Sequence, residues 1–322
     1  MAQLQTTVIT GSLILGNTPN TSSAGNIWYD TSTNDIKYTY VGSAAGTWST
    51  GGALSTARYG LAGAGTQNEA LAFGGLSPMR SCTEEYNGTA WAVGGALITA
   101  RPRLGGAGEQ NAALAFAGYN AGGSPFGGFS CTEEYNGTAW TAGGTLITAR
   151  SFVAGAGTQN AGVAFGGRTP SNVSCTEEYD GSSWSSSGTL ITPRYALAGA
   201  GTQNAGLAFG GSSPSVVSCT EEYDGSSWSG GGALSTARQG LAGAGTQNAG
   251  LAFGGFFPNS CLTCTEAYDG TSWSADASLA VAGYSFGGAG TQNAGLRFGG
   301  RTVACTEEYN KPLIPPICIN TL

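Results

Sequence analysis

Paired carboxylates beside a cation are the parts from which general acid–base chemistry is assembled, and this chain carries them many times over. Adjacent glutamates stand at Glu84 and Glu85, Glu133 and Glu134, Glu177 and Glu178, Glu221 and Glu222, and Glu307 and Glu308, each pair followed by a tyrosine. Arginines stand at Arg58, Arg101, Arg150, Arg194 and Arg238, and each from Arg101 onward lies 16 residues after the second glutamate of the preceding pair. An active site needs such a set once, so a set that recurs in nearly every unit reads as structure. Glu266 has Ala267 where its neighbour should be, and 16 residues later Gly283 replaces the arginine. Removing one partner of a buried ion pair costs about 3–5 kcal/mol, and removing both costs much less. The joint loss therefore predicts the pairs Glu85–Arg101, Glu134–Arg150, Glu178–Arg194 and Glu222–Arg238. Glu308 and Arg58, left over at opposite ends of the chain, are expected to pair across a ring closure.

Other chemistry is sparse. The chain has no histidine, which removes the ordinary hydrolase triad and the usual ligand of transition metals. No cofactor is expected. Of eight cysteines, six occupy equivalent places, at 82, 131, 175, 219, 264 and 305. Equivalent points in neighbouring units lie beyond the roughly 4.4–6.8 Å between Cα atoms that a disulfide spans, so these six are expected to be buried small apolar residues. Cys261 and Cys318 stand outside the pattern and are the candidate bridge formers; the usage fits synthesis in a reducing cytosol. Asn87 and Asn136 form Asn-Gly-Thr sequons, and Asn20 and Asn172 add two more. Later units place Asp at the same turn, so turn geometry explains Asn87 and Asn136 without sugar.

The elements that must position these residues follow from a repeat. The cleanest copy runs Leu197-Ala-Gly-Ala-Gly-Thr-Gln-Asn-Ala-Gly-Leu-Ala-Phe-Gly-Gly211, and its relatives close at Gly75, Gly118, Gly167, Gly255 and Gly300, a period of 43 to 49 residues. Periods of this length belong to stacked or radial repeat folds. Each unit reads as four strands. In the first, strand A covers 59–65, strand B ends at Gly74-Gly75, strand C covers 82–86, and strand D follows an Asn87-Gly88 turn at Trp91. The tryptophans fall at 48, 91, 140, 184, 228 and 273, one unit out of step with the cysteines. A ring cut inside one unit leaves such an offset, with the strand around Trp48 completing a last blade whose other three strands lie at the C-terminal end. A second closure, with residues 37–40 as the third strand of that blade, would leave residues 305–309 without a place.

Composition bounds the partners. The 322 residues include 56 glycines, carry 10% charged residues and have a formal charge of -7 from only 12 Lys+Arg, five of them at the repeated position. No basic track is left for a phosphate backbone, so nucleic acid is not an expected partner. No apolar run reaches membrane-spanning length, so insertion is not expected, and the first residues lack the features of a secretory signal.

The Gly-Gly, the Tyr and the Trp about five residues later, six times in phase over residues 47–309, resemble the kelch repeat of galactose-oxidase-like proteins. The resemblance implies an all-β fold, a six-bladed β-propeller of four-stranded blades closed by an N-terminal strand. The uniform wording of the units and the hairpin pattern before Thr47 also resemble phage tail-fibre and other virion proteins with kelch-like arrays. Fold does not transfer activity. The copper site of galactose oxidase depends on histidines absent here, and sialidase propellers carry Ser-x-Asp-x-Gly-x-Thr-Trp boxes where this chain has adjacent Asp-Gly.

Function is then expected where the units differ, since variable loops on a rigid scaffold carry binding surfaces. The B–C loops cover 76–81, 119–130, 168–174, 212–218, 256–263 and 301–304 and share a face with the D–A connections. The second and fifth offer Tyr119, Phe126, Phe129, Phe256 and Phe257, suited to a sugar face or a protein partner. The expectation is a non-enzymatic structural or adhesive protein on a virion surface, a tail fibre or decoration. Residues 1–46 would serve for attachment and 310–322 as a tail. Its partners would be other virion or filament subunits, further copies of the chain, and a host glycan or protein receptor. The alternative is an extracellular carbohydrate-binding or sugar-active kelch protein of cellular origin.

Overall fold

Each repeat becomes one antiparallel sheet because its residues alternate in size across two packed faces. In the fourth unit the strands are Ala198–Thr202, Ala205–Phe209, Thr220–Tyr223 and Trp228–Gly231, hydrogen-bonded in that order. These are strands A to D. The structure, a computed structural model, describes residues 27–30, 35–38, 45–119, 127–301 and 303–312. Within these, six four-stranded sheets cover 62–94, 105–142, 154–187, 198–231, 242–276, and 287–310 with 47–51. They form a six-bladed β-propeller. By its internal contacts the chain divides into a unit of residues 45–311, which is the ring, and a unit of 1–44 with 312–322. In the second unit Ile27–Asp30 pairs with Asp35–Tyr38 as a hairpin. Lys37 and Tyr38 thus belong to that hairpin and not to the last blade; residues 39 and 40 lie outside the described residues.

Closure follows the offset of the tryptophans. Thr306–Asn310, strand C of the sixth blade, pairs with Thr47–Gly51, and Tyr309 sits opposite Trp48. The seam is then tied from both ends of the ring by Asp276, which accepts from the Gly46 backbone N–H at 2.7 Å and from Lys311 Nζ at 3.0 Å.

Strand A is Ala-Gly-Ala-Gly because the strands converge there. A methyl group on Gly199 would come within 2.7 Å of the Gly155 carbonyl of the preceding blade, and one on Gly63 within 2.6 Å of the Gly288 carbonyl. Only glycine allows backbones so near one another. Farther out, the core lies between blades: Phe165 of strand B packs on Trp228 of the next blade at 4.9 Å between centroids, and Trp228 packs on Tyr223 of its own blade at 4.9 Å. Edge-to-face and tilted aromatic contacts of this kind contribute about 0.5–1.5 kcal/mol each beyond their buried area.

Two sets of hydrogen bonds join each blade to the one before it, and a third joins every blade but the sixth to its predecessor. Trp48, Trp91, Trp140, Trp184, Trp228 and Trp273 donate from Nε1 to Thr265, Thr306, Thr83, Thr132, Thr176 and Thr220 at 2.9–3.0 Å. The glutamine of each A–B turn donates to two backbone carbonyls of the preceding blade, as Gln203 does to Gly162 and Tyr179. The tyrosine of strand C donates to the second glutamate of the preceding blade: Tyr135 to Glu85, Tyr179 to Glu134, Tyr223 to Glu178, Tyr268 to Glu222 and Tyr86 to Glu308.

That last set corrects the ion pairs expected from spacing. Arg58, Arg101, Arg150, Arg194 and Arg238 pair with the first glutamate of their own blade, Glu84, Glu133, Glu177, Glu221 and Glu266. The expected pairs Glu85–Arg101, Glu134–Arg150, Glu178–Arg194, Glu222–Arg238 and Glu308–Arg58 do not form. Neighbouring side chains on a strand point to opposite faces: Thr83 and Glu85 face the next blade, Glu84 and Tyr86 the previous one. The joint loss at Ala267 and Gly283 involves two separate networks. Ala267 stands where the acceptor for Tyr309 would be, and that phenol is pushed up by its burial and by neighbouring Asp276. At Gly283 the missing cation is supplied from strand B of the sixth blade, where Arg297 reaches Glu307 at 3.1 Å.

Candidate functional site

The residue two places beyond each repeated arginine position begins the site. Gly60, Arg103, Phe152, Ala196, Gly240 and Ser285 are equivalent, and all six have φ between +53° and +62°. They are joined head to tail by backbone hydrogen bonds into a closed ring: Arg103 donates to Gly60, Phe152 to Arg103, Ala196 to Phe152, Gly240 to Ala196, Ser285 to Gly240 and Gly60 to Ser285, at 2.6–3.1 Å. Glycine is the ordinary occupant of this left-handed region. Four of the six positions nevertheless carry side chains, an arrangement that costs on the order of 1–3 kcal/mol per residue and is concentrated at ligand clamps and active sites.

Over this ring lies a cavity of about 430 Å³, lined by Tyr59, Arg103, Phe152, Arg168, Tyr195 and Phe256 together with Tyr284, Gln239 and Arg301. Its size falls in the range of small-ligand sites. Two kinds of loop build it. Residues before strand A come from the D–A connections, and Arg168, Phe256 and Arg301 come from the residues just after strand B. Short bridges hold the two together, Gln239 against Phe256 and Ser151 against Arg168.

Three cations stand against aromatic rings. The Arg103 guanidinium lies 4.3 Å from the Phe152 ring centre and 5.2 Å from that of Tyr119, Arg168 lies 5.0 Å from Tyr195, and Arg301 lies 5.8 Å from Tyr284, to whose hydroxyl it also donates. Stacking of this kind fixes the plane of a guanidinium. Burial holds Arg103 below the ordinary arginine value. Among the described residues no aspartate or glutamate lines the cavity, and three of its lining residues are arginines.

Of the residues expected to bind, Phe256 lines the cup and packs on Tyr284 at 5.0 Å. Tyr119 reaches it through Arg103. Phe129 is half-buried and bridges Arg150. Phe257, 44% exposed, pairs with Ser260 in a small hairpin outside the lining. Phe126 lies outside the described residues. Arg168 and Arg301 open two of the variable B–C loops that the sequence pointed to, but they were not singled out; sequence reasoning missed Tyr59, Arg103, Phe152, Tyr195 and Tyr284, for which the available signal was the variable dipeptide after each repeated arginine position.

The repeated carboxylates have structural partners. Glu177, buried, accepts from Ile147 N at 2.7 Å and Thr148 N at 3.2 Å besides Arg150. The repeat cysteines are free and half-buried, not enclosed as expected, because each stands one place before the paired residues of strand C begin, as Cys175 does before Thr176; Cys175 Sγ lies 3.0 Å from Arg150 and Cys264 Sγ 2.9 Å from Arg238. Burial pushes the Cys131, Cys219 and Cys264 thiols up. Cys261 is free and exposed, and Cys318 lies outside the described residues. Asn87 Oδ1 accepts from Thr89 N at 3.0 Å and Ala90 N at 2.9 Å, the turn role expected of it. No family model matches the chain, and no curated protein sequence matches it.

Proposed function

We propose that this propeller is a kelch-type, non-enzymatic attachment protein of the kind borne on virion surfaces as a tail fibre or decoration, and that it binds through the cup. The carrying observation is a constant frame with variable contents. Six equivalent rim residues share one backbone conformation and one ring of hydrogen bonds, yet they are Gly, Arg, Phe, Ala, Gly and Ser. Identical repeats need no such variety for folding, so the differences belong to what is bound. The absence of catalysis is supported by the glutamates, whose carboxylates are engaged by arginine, backbone N–H or a tyrosine hydroxyl.

The partners in this reading are neighbouring virion subunits on one side and a host glycan or protein receptor on the other. A cellular, extracellular carbohydrate-binding kelch protein would use the same cup, and the two origins separate on whether the chain co-purifies with virus particles. The test of the cup is attachment of the purified chain to susceptible cells. Changing Phe152, Tyr195 and Tyr284 together to Ser should leave the melting temperature within a few degrees of the parent and weaken attachment at least about tenfold, the scale of losing central aromatic contacts. Undiminished attachment by a folded triple variant would end the proposal.

A further inference from the structure

We propose that the cup takes a neutral sugar, a hexopyranose unit at the end or branch of a glycan, seated on small residues of the ring and flanked by aromatic side chains. The inference rests on the cup being the binding site, and it adds the chemical class of what is bound and where in the cup it sits.

The seat follows from the order of the ring. Its hydrogen bonds place Ala196, Gly240, Ser285 and Gly60 in succession, followed by Arg103 and Phe152. Four small residues in a row leave room above the backbone, and two large ones fill the rest. Ala196, Gly240 and Ser285 all line the cavity. Tyr195 and Tyr284 immediately precede the first and last of these three, so their rings flank Gly240 from either side. Each ring is held by a neighbour: Tyr195 packs edge-to-face with Phe152 at 5.5 Å, and Tyr284 packs on Phe256 at 5.0 Å. Arg168 and Arg301 lie against the same two tyrosines and so help to set the walls.

The chemistry of the seat is amphipathic. Tyr59, Phe152, Tyr195, Phe256 and Tyr284 offer ring surface, while the phenols, the Ser285 hydroxyl and the Gln239 amide add neutral groups that both donate and accept hydrogen bonds. A pyranose has the matching halves: C–H bonds with partial positive charge on one face, which suit a π face, and hydroxyls around its edge. Gln239 supplies a more particular sign. Its Oε1 is buried and has no hydrogen-bond partner among the described residues. An acceptor left unsatisfied is a cost in the free protein, and a sugar hydroxyl is a donor that removes it. An extended peptide is the poorer fit. The six backbone N–H groups of the floor are all used within the ring itself, so none is left to pair with a second main chain.

The test is an array of neutral hexose-terminated oligosaccharides with their sialylated, uronate-bearing and sulfated counterparts. It is read with the parent chain and three variants, and the melting temperature of each variant confirms its fold. Ser285→Phe fills the seat with a residue type that Phe152 shows to be accepted at this ring position, both having φ +55°. Gln239→Leu removes the amide and its unsatisfied acceptor. Phe257→Ser changes an exposed ring outside the lining. The expected result is binding of a neutral glycan that is insensitive to added salt. It should weaken at least about tenfold in Ser285→Phe and in Gln239→Leu and stay unchanged in Phe257→Ser. Binding confined to the acidic glycans overturns the neutral sugar. Binding kept by either folded cup variant, or lost in Phe257→Ser, overturns the seat; should Ser285→Phe not fold, Gln239→Leu decides alone. If no glycan binds while the aromatic triple variant loses cell attachment, the sugar class fails and the attachment reading stands. If attachment survives the triple variant, the attachment reading is the one that fails.

Discussion

Tyr86 donates its phenolic hydrogen bond to Glu308 at 2.5 Å, linking the first complete blade to a residue 222 positions later in the chain. The same bond recurs between Tyr135 and Glu85, Tyr179 and Glu134, Tyr223 and Glu178, and Tyr268 and Glu222. The seam is thus made of the same material as the other blade junctions. At Tyr309 the series breaks, because Ala267 offers no acceptor; Asp276 is the neighbouring carboxylate.

These phenols give the ring an alkaline limit. Burial, followed by the bond to the facing glutamate, pushes Tyr86, Tyr135, Tyr179, Tyr223 and Tyr268 up to about 12 from an ordinary 10.0. A group held higher in the folded state than in the unfolded contributes stability that is complete below its unfolded pKa and is lost as pH rises through the folded one. Stability should therefore decline between about pH 10 and pH 12, with ionisation of these tyrosines accompanying unfolding. A tyrosinate absorbance titration followed alongside circular dichroism checks this. Ionisation of all five near pH 10 in a still-folded ring would contradict the network.

The glutamates of one strand should differ sharply in what they contribute. Glu177 is buried and pairs with Arg150, whereas Glu178 accepts from Tyr223 at the blade interface. Glu177→Gln should destabilise by about 3–5 kcal/mol, because it leaves a buried guanidinium uncompensated. Glu178→Gln keeps an acceptor for the phenol and should cost about 1 kcal/mol. Denaturant unfolding measures both. A double-mutant cycle should find Arg194 coupled to Glu221 and not to Glu178.

The sixth blade offers a compensating exchange. A side chain on Gly283 would meet Arg297 Nη2 within 2.9 Å of its first carbon, so Gly283→Arg alone should destabilise by crowding two cations together. Arg297→Ala alone should cost about 3–5 kcal/mol by leaving Glu307 buried without its partner. The double variant restores the arrangement of the other blades, where the position of Arg297 is alanine, as at Ala208 and Ala252. It should recover most of that loss. Additive destabilisation would show that the two arginine positions do not share one space.

Closure is testable by truncation. Ending the chain at Ala304 removes Thr306–Asn310, the strand that Thr47–Gly51 pairs with, together with Glu307 and Glu308. The melting temperature should fall by well over ten degrees if the shortened chain folds at all, since a domain of this size shifts about 2–4 °C per kcal/mol and the strand carries several such contributions. A truncated chain melting with the parent would exclude the seam described.

The sequence by itself determined the ring. Period, Asn-Gly and Asp-Gly turns and the offset of Trp48 from Cys305 are local or periodic signals, repeated often enough to fix six blades and the strand that closes them. Tertiary structure alone decided which glutamate meets which cation. Glu177 and Glu178 are neighbours in sequence but face different blades, and a constant spacing of 16 residues from the second glutamate carries no information about the face. It also decided the cup, whose residues come from loops of several blades and are the ones that break the repeat. Their meeting place exists only once backbone hydrogen bonds from Gly60 around to Ser285 close on themselves. Side chains that differ from unit to unit leave no periodic trace; they become a site when the fold brings them to one axis.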